Sequence, residues 1–216
     1  MSSPSRRMAN GGRQSLGNVA RWALVSGIAG VIANVFLVLL YVVFQPWQEE
    51  YAGSSGWFGM ANDSLVAVQF ATLLPVVRGL GDRMPSDPRV RAWTRVGLTA
   101  AAAVVALQVL LVARIIPFEV QVIPVTLCII VLFFWVGAIS HAGERMHTLP
   151  KVLSRFGRFL SLGLPIGAGV FVVGVVVSWA ANLGSSAWVI AALPGFVVWL
   201  LFPVWVLLLS RGAARS

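Results

Sequence analysis

The chain has 216 residues, 58% of them hydrophobic and 11% charged, with a mean hydropathy of +0.87 and a formal charge of +9. A soluble domain carries about 25% charged residues, so a soluble enzyme, a disordered chain and a disulfide-stapled scaffold are excluded. Apolar runs that repeatedly exceed the roughly 18 residues needed to cross a bilayer leave one class, an all-α, multi-pass membrane protein.

The first run, Trp22 to Phe44, follows Arg6-Arg7 and imitates a secretory signal. It is 23 residues long, beyond the roughly 7–15 apolar residues of a signal core. It leads into Gln45-Pro46-Trp47-Gln48-Glu49-Glu50 and not into a small-residue cleavage site. It therefore reads as a first span behind a disordered basic tail, residues 1–18. Five more runs follow, Ala61–Leu80, Val96–Ile116, Val120–Ser140, Phe159–Ala181 and Ala187–Ser210. The expectation is a six-transmembrane-helix bundle over residues 19–211, with 212–216 as a short tail. The Gly- and Val-rich fifth run would be a poor helix in water. In lipid every backbone polar group must be bonded internally, so helix wins.

The cations set the orientation. Arg6, Arg7, Arg13 and Arg21 precede the first span, and Arg78, Arg83, Arg89, Arg91 and Arg95 lie between the second and third. Arg145, Lys151, Arg155 and Arg158 lie between the fourth and fifth, and Arg211 and Arg215 follow the sixth. Fifteen of the sixteen cations thus share one side of an alternating chain, and only Arg114 falls opposite. By the positive-inside rule both termini are cytoplasmic. Trp22 and Trp93 at one boundary, with Trp47, Trp57, Trp179 and Trp188 at the other, fit two interfacial aromatic belts. These cations meet anionic lipid headgroups, not nucleic acid, since no basic stretch is interleaved with stacking aromatics.

Within the spans, Ser26, Gly30 and Asn34 form a helical ridge, as do Gly163 and Gly167 with Gly169 and Gly174 beyond them. Such ridges let backbones approach inside the bundle or across a dimer face. Asn34, Gln69 and Gln108 each sit near mid-span and could share one level, either as glue between helices or as part of a polar cavity. Arg114 lies near the end of span three, with Glu119 and Asp63 as acidic neighbours on the same side. It either snorkels in a structural pair or lines an outward-facing cavity. Interior prolines, above all Pro194 and Pro203 in span six, mark a kinked wall.

On the basic side, His141, Glu144 and His147 recur at helical spacing and form a weak candidate metal set. They lack the spacing of a metalloprotease site, and a headgroup-level loop accounts for them as well. Pro150 to Leu160 reads as a short amphipathic interfacial helix before span five. Its stripe of Lys151, Arg155 and Arg158 contacts anionic lipid. Cys128 is the only cysteine, which leaves no disulfide and no thiolate metal pair. No nucleophile elbow or phosphate loop is present, and no catalytic residue or cofactor is assigned. The acids Glu49, Glu50, Asp63 and Glu119 are the set a lipid- or isoprenoid-modifying enzyme would use.

Gly27-Ile28-Ala29-Gly30, the run Leu149-Pro150-Lys151-Val152-Leu153-Ser154-Arg155-Phe156-Gly157 and, more slightly, Trp199-Leu200-Leu201 resemble an uncharacterised family of bacterial, often actinobacterial, six-span membrane proteins. The resemblance implies a fold and a cytoplasmic-membrane address, and it carries no catalytic residues. Three readings remain open: a non-enzymatic accessory or regulatory component, a small-molecule or lipid-linked transporter, and an intramembrane lipid-modifying enzyme. A second copy or another membrane protein is the expected protein partner.

Overall fold

The computed structural model describes residues 4–42, 56–84, 87–181 and 186–214. Among them the chain forms six α-helices and no strand: α1 Pro4–Val42, α2 Gly56–Asp82, α3 Pro88–Val112, α4 Phe118–Arg145, α5 Lys151–Ala180 and α6 Ser186–Ala214. Each contains a stretch long and apolar enough to cross a membrane. Val43, Phe44, Glu49, Glu50 and Trp47 lie outside the described residues.

Two expectations differ from the observed elements. The segment expected to be a disordered tail is helical from Pro4 onward. Pro4 suits a first turn, where a missing N–H removes no helical bond, and no other proline interrupts α1. The segment Pro150–Leu160 is not a separate helix either. Lys151 to Leu160 is the opening part of α5, which runs unbroken to Ala180 through Pro165. Nothing between Leu160 and Pro165 supplies a break, and a single proline bends a membrane helix without ending it. At α3 the helix starts at Pro88, earlier than hydropathy suggests. The Asp87 carboxylate caps it by accepting from the backbone N–H groups of Arg89 at 2.8 Å and Val90 at 3.4 Å.

Each helix packs on its neighbour in the chain, and α6 returns to pack on α1, which closes a six-membered ring. Neighbours run antiparallel. Along α5 and α6, Gly163 faces Val198, Gly167 faces Gly195, and Gly174 faces Ala191. Along α1 and α6, Gly27 faces Leu207 and Gly30 faces Pro203. One end of the ring, the basic end, therefore gathers Arg78, Arg83, Arg91, Arg95, Arg145, Lys151, Arg155, Arg158 and Arg211. Arg114 and Glu119 lie at the other, far end.

The half of the ring nearest the basic end has no lumen, because aromatic side chains fill it. Phe202 of α6 stacks on Phe70 of α2 with ring centres 6.1 Å apart and meets Phe133 of α4 at 5.1 Å. Trp199 and Trp205 extend the stack along α6, and the Trp205 indole N–H donates to the Leu153 carbonyl of α5 at 3.2 Å. Trp135 is fully buried against Gly97 of α3. Small residues make this closeness affordable on the α4/α5 side, where a Cβ on Gly137 would lie 2.5 Å from the Ser161 hydroxyl and one on Gly157 would strike Ser140.

Among the glycine contacts of the described residues, the closest approach to another helix's backbone is between α5 and α6. A Cβ on Gly167 would collide with the Gly195 backbone, which has no flexible end to move aside, whereas one on Gly169 would meet nothing within 4 Å. Gly167→Val should therefore lower stability by about 3 kcal/mol, the upper range for overpacking, and Gly169→Val should leave it unchanged. Thermal unfolding of both variants in the same detergent checks this; equal loss in both would show that the glycines serve helix flexibility and not this contact.

Candidate functional site

Of the six residues proposed from sequence to line one polar cavity, four fall into three separate places and two, Arg114 and Glu119, belong to none of them. The first is a junction of α1, α2 and α6. Ser26 of α1 donates to the Gln69 carbonyl of α2 at 2.9 Å, and a Cβ on Gly30 would lie 2.6 Å from the Gln69 side-chain amide and 2.7 Å from the Pro203 ring. One turn further, Asn34 Nδ2 donates to the Leu200 carbonyl of α6 at 3.1 Å. Pro203 explains why that carbonyl is approachable. It lacks an N–H for Trp199, and its ring crowds the preceding turn, so the carbonyls there tilt out of the helix. Asn34 also edges a groove of about 360 Å³ between α1 and α6, whose other walls include Val31, Val35, Val38 and Val204. The Asn34 amide thus serves a helix contact, whereas the Gln69 side chain packs against Gly30 with its Nε2 buried and unpartnered.

The second place is the α3/α4 hairpin. Gln108 is buried, and its Oε1 has no hydrogen-bond partner. Gln121 is only 1% exposed and its Nε2 is likewise unpartnered. At a rise of about 1.5 Å per residue the two stand at a similar depth below their shared turn. Sequence reasoning missed Gln121 because it sits close to a helix start, where a polar residue passes as a boundary. Burial shows its role. The third place is the far end of α2. Asp63 is partly buried, accepts from Asn62 Nδ2 at 3.3 Å, and its charge is felt by Tyr41 of α1.

Arg114 and Glu119 are exposed at the far end. Arg114 is not within a span at all: it is the residue after the α3 cap, with φ of 58°. The Ile115 N–H donates to the Leu110 carbonyl and the Arg114 N–H to the Leu111 carbonyl, both at 2.9 Å. These are the paired bonds of a Schellman ending. α4 ends the same way. His147 has φ of 55°, its N–H donates to the Glu144 carbonyl at 3.3 Å, and the Thr148 N–H donates to the Gly143 carbonyl at 2.9 Å. Pro117 and Pro150 follow the two turns.

This geometry separates the candidate metal set. α4 ends at Arg145, so His147 leaves the face that carries His141 and Glu144. Glu144 is instead engaged by Arg158, with Oε2 and Nη2 2.6 Å apart. Among the described residues no group of three or more His, Cys, Asp or Glu side chains is placed to hold a metal ion. Of the three residues proposed to face lipid headgroups, Lys151 and Arg155 are exposed at the start of α5, whereas Arg158 is shared with Glu144. Arg83 was counted only as a loop cation, yet burial lowers its pKa and leaves one guanidinium nitrogen without a partner. It lies against Thr148, Leu149 and Pro150 near the end of α6.

A deeper cleft lies at the basic end between α2 and α3. It measures about 350 Å³ and is lined by Arg78, Gly81 and Asp82 of α2 with Arg91, Thr94, Arg95 and Leu98 of α3.

A closed ring of six apolar helices with an aromatic interior and charged ends defines a multi-pass helical membrane protein. Compared with protein-family models, with characterised proteins and with solved structures, the chain matches none.

A non-glycine residue in the left-handed region costs about 1–2 kcal/mol, part of which glycine returns as backbone entropy. Arg114→Gly and His147→Gly should each raise stability by roughly 0.5–1 kcal/mol, whereas the alanine variants should gain nothing. Asn34→Leu should lower it by about 1 kcal/mol, the loss of one interhelical hydrogen bond. Thermal unfolding in a common detergent measures all three; destabilisation by glycine at Arg114 or His147 would contradict the turn assignment.

Proposed function

We propose that this protein is a non-enzymatic accessory or regulatory component of a bacterial cytoplasmic membrane, with both termini and the basic end facing the cytoplasm. The observation that carries the reading is the filled interior. Phe70, Phe133 and Phe202 interlock where a translocation path would run, and Asn34 is engaged by the Leu200 carbonyl of α6. Work by such a protein falls to its ends and outer faces. The positive-inside asymmetry supports the orientation, and the resemblance of Leu149 to Gly157 to a bacterial six-span family supports the address.

A second reading, a transporter with an outward-facing recess, draws on one feature, the partly buried Asp63 beside Tyr41 and Asn62 at the far end. In a Cys128→Ser background, a membrane-impermeant maleimide should label Glu119→Cys in intact cells and Thr148→Cys only after permeabilisation. The reverse pattern overturns the orientation. Extracted from its own membranes, the chain should migrate in native electrophoresis with a second membrane protein at fixed stoichiometry. Migration as a lone chain overturns the accessory role. Saturable solute uptake by proteoliposomes that is abolished in Asp63→Asn would put the transporter in its place.

A further inference from the structure

We propose that the cleft between the end of α2 and the start of α3 binds a phosphate group, gripped by Arg78, Arg91 and Arg95 with the Thr94 hydroxyl as its buried donor. Register brings these residues together. Arg91 and Arg95 are one turn apart on α3 with Thr94 between them, and Arg78 and Asp82 are one turn apart on the facing end of α2. Three guanidinium groups against one carboxylate leave the cleft net positive, which disfavours a metal cation and favours an anion. Asp82 does little to neutralise it. Its contact with Arg78 is 3.9 Å long and both side chains are about three-quarters exposed (78% and 75%), so water screens the pair.

Thr94 supplies the independent sign of a ligand. The residue is only 9% exposed, and its Oγ1 is buried with no hydrogen-bond partner in the protein. A buried hydroxyl left in this state is unfavourable, and an acceptor oxygen in the cleft would satisfy it. Gly81 lets α2 and α3 come this close: a Cβ there would lie 2.5 Å from both the hydroxyl and the methyl group of Thr94. Planar guanidinium groups match phosphate oxygens with paired N–H donors, which a point-charge lysine would not do. Leu98, further along α3 into the apolar stretch, adds a hydrophobic wall below the arginines. That wall suits the glycerol and first methylenes of an anionic phospholipid, while a free phosphate would use the arginines alone. The proposal needs the six-helix fold but neither the orientation nor the accessory role.

The test uses the purified full chain in an uncharged detergent at about 0.15 M salt, titrated with dihexanoyl phosphatidic acid, dihexanoyl phosphatidylcholine and inorganic phosphate. Phosphatidic acid should bind saturably, and Arg91→Gln/Arg95→Gln should weaken it by about tenfold or more. Lys151→Gln/Arg155→Gln, an exposed basic pair on the same end, should change the affinity by less than about twofold. Thr94→Val should weaken binding while the unliganded variant unfolds at no lower temperature, since it loses an unpaired hydroxyl. That separates a ligand contact from a folding role. Competition by inorganic phosphate would show that the phosphate group suffices; its failure to compete would assign the site to the lipid. Absence of saturable binding, equal binding of phosphatidylcholine, or equal losses in the two double variants would overturn the proposal.

Discussion

Hydrocarbon removes the force that packs helices in water, because a leucine side chain is as well solvated by lipid tails as by another helix. What remains is close contact, and close contact needs backbones that can approach. The ring depends on this constraint at almost every seam. Gly167 against Gly195 and Gly174 against Ala191 join α5 to α6, and Gly137 with Ser161 and Gly157 with Ser140 join α4 to α5. Gly30 seats α1 on both Gln69 and Pro203. Because the helices come so near, the large side chains that point inward interdigitate, and the Phe70, Phe133, Phe202 and Trp205 stack follows from the spacing the small residues allow.

The same solvent makes every polar backbone group a debt to be settled within the protein. Pro203 removes the helical donor of the Trp199 carbonyl in α6, and two residues of one other helix, α1, meet the chain at this point. Gly30 gives the proline ring room, and Asn34 donates to the carbonyl of Leu200 that the kink exposes. The proline, glycine and asparagine are therefore one structural unit, although they are far apart in the chain. A kink in this position does not require a substrate to explain it. Of the mid-depth amides, Asn34 stands where backbone geometry calls for a donor, while Gln69 and Gln108 each keep one buried side-chain atom unpartnered.

Much of this was legible in the sequence, and the rest was hidden for identifiable reasons. Six runs of apolar residues stood out because bilayer thickness sets their length. The Ser26, Gly30 and Asn34 ridge stood out because small residues at helical spacing have few other uses. Composition alone could not say which glycines of α5 face a partner: Gly163, Gly167 and Gly174 do, and Gly169 looks away. Arg114 and His147 passed as helical residues because neither type signals a left-handed turn; only the prolines that follow hinted at helix ends. Apolar length likewise says little about where a helix begins outside lipid, so the start of α1 at Pro4 and the continuity of α5 were not visible. Gln121 and the arginine cleft with Thr94 were invisible for another reason. Each depends on the register between two helices, which no single-helix pattern encodes.

The two ends of the ring are built to different standards, and that difference bears on where a partner could act without disturbing the fold. Fully buried large side chains concentrate toward the basic end: Leu73 and Leu80 on α2 with Met84 just beyond it, Leu132, Phe133, Trp135 and Ile139 on α4, and Phe202, Trp205 and Leu209 on α6. Toward the far end, among the described residues, none of these large side chains is found; Gln121 and Val125 are buried there, and α2 carries the partly covered polar residues Asn62 and Asp63. Along Val170 to Val177 of α5 every residue but Gly174 is exposed, and Gly174 rests on α6. Regions with few buried contacts open at low free-energy cost, and densely packed ones open only with global unfolding. The far end is therefore the more loosely packed of the two, while the aromatic stack fills the basic end. The cleft formed by α2 and α3 lies at that densely packed end, with the buried Leu80 and Val90 next to its lining residues Gly81 and Arg91, so its walls are set by the best-packed part of the fold.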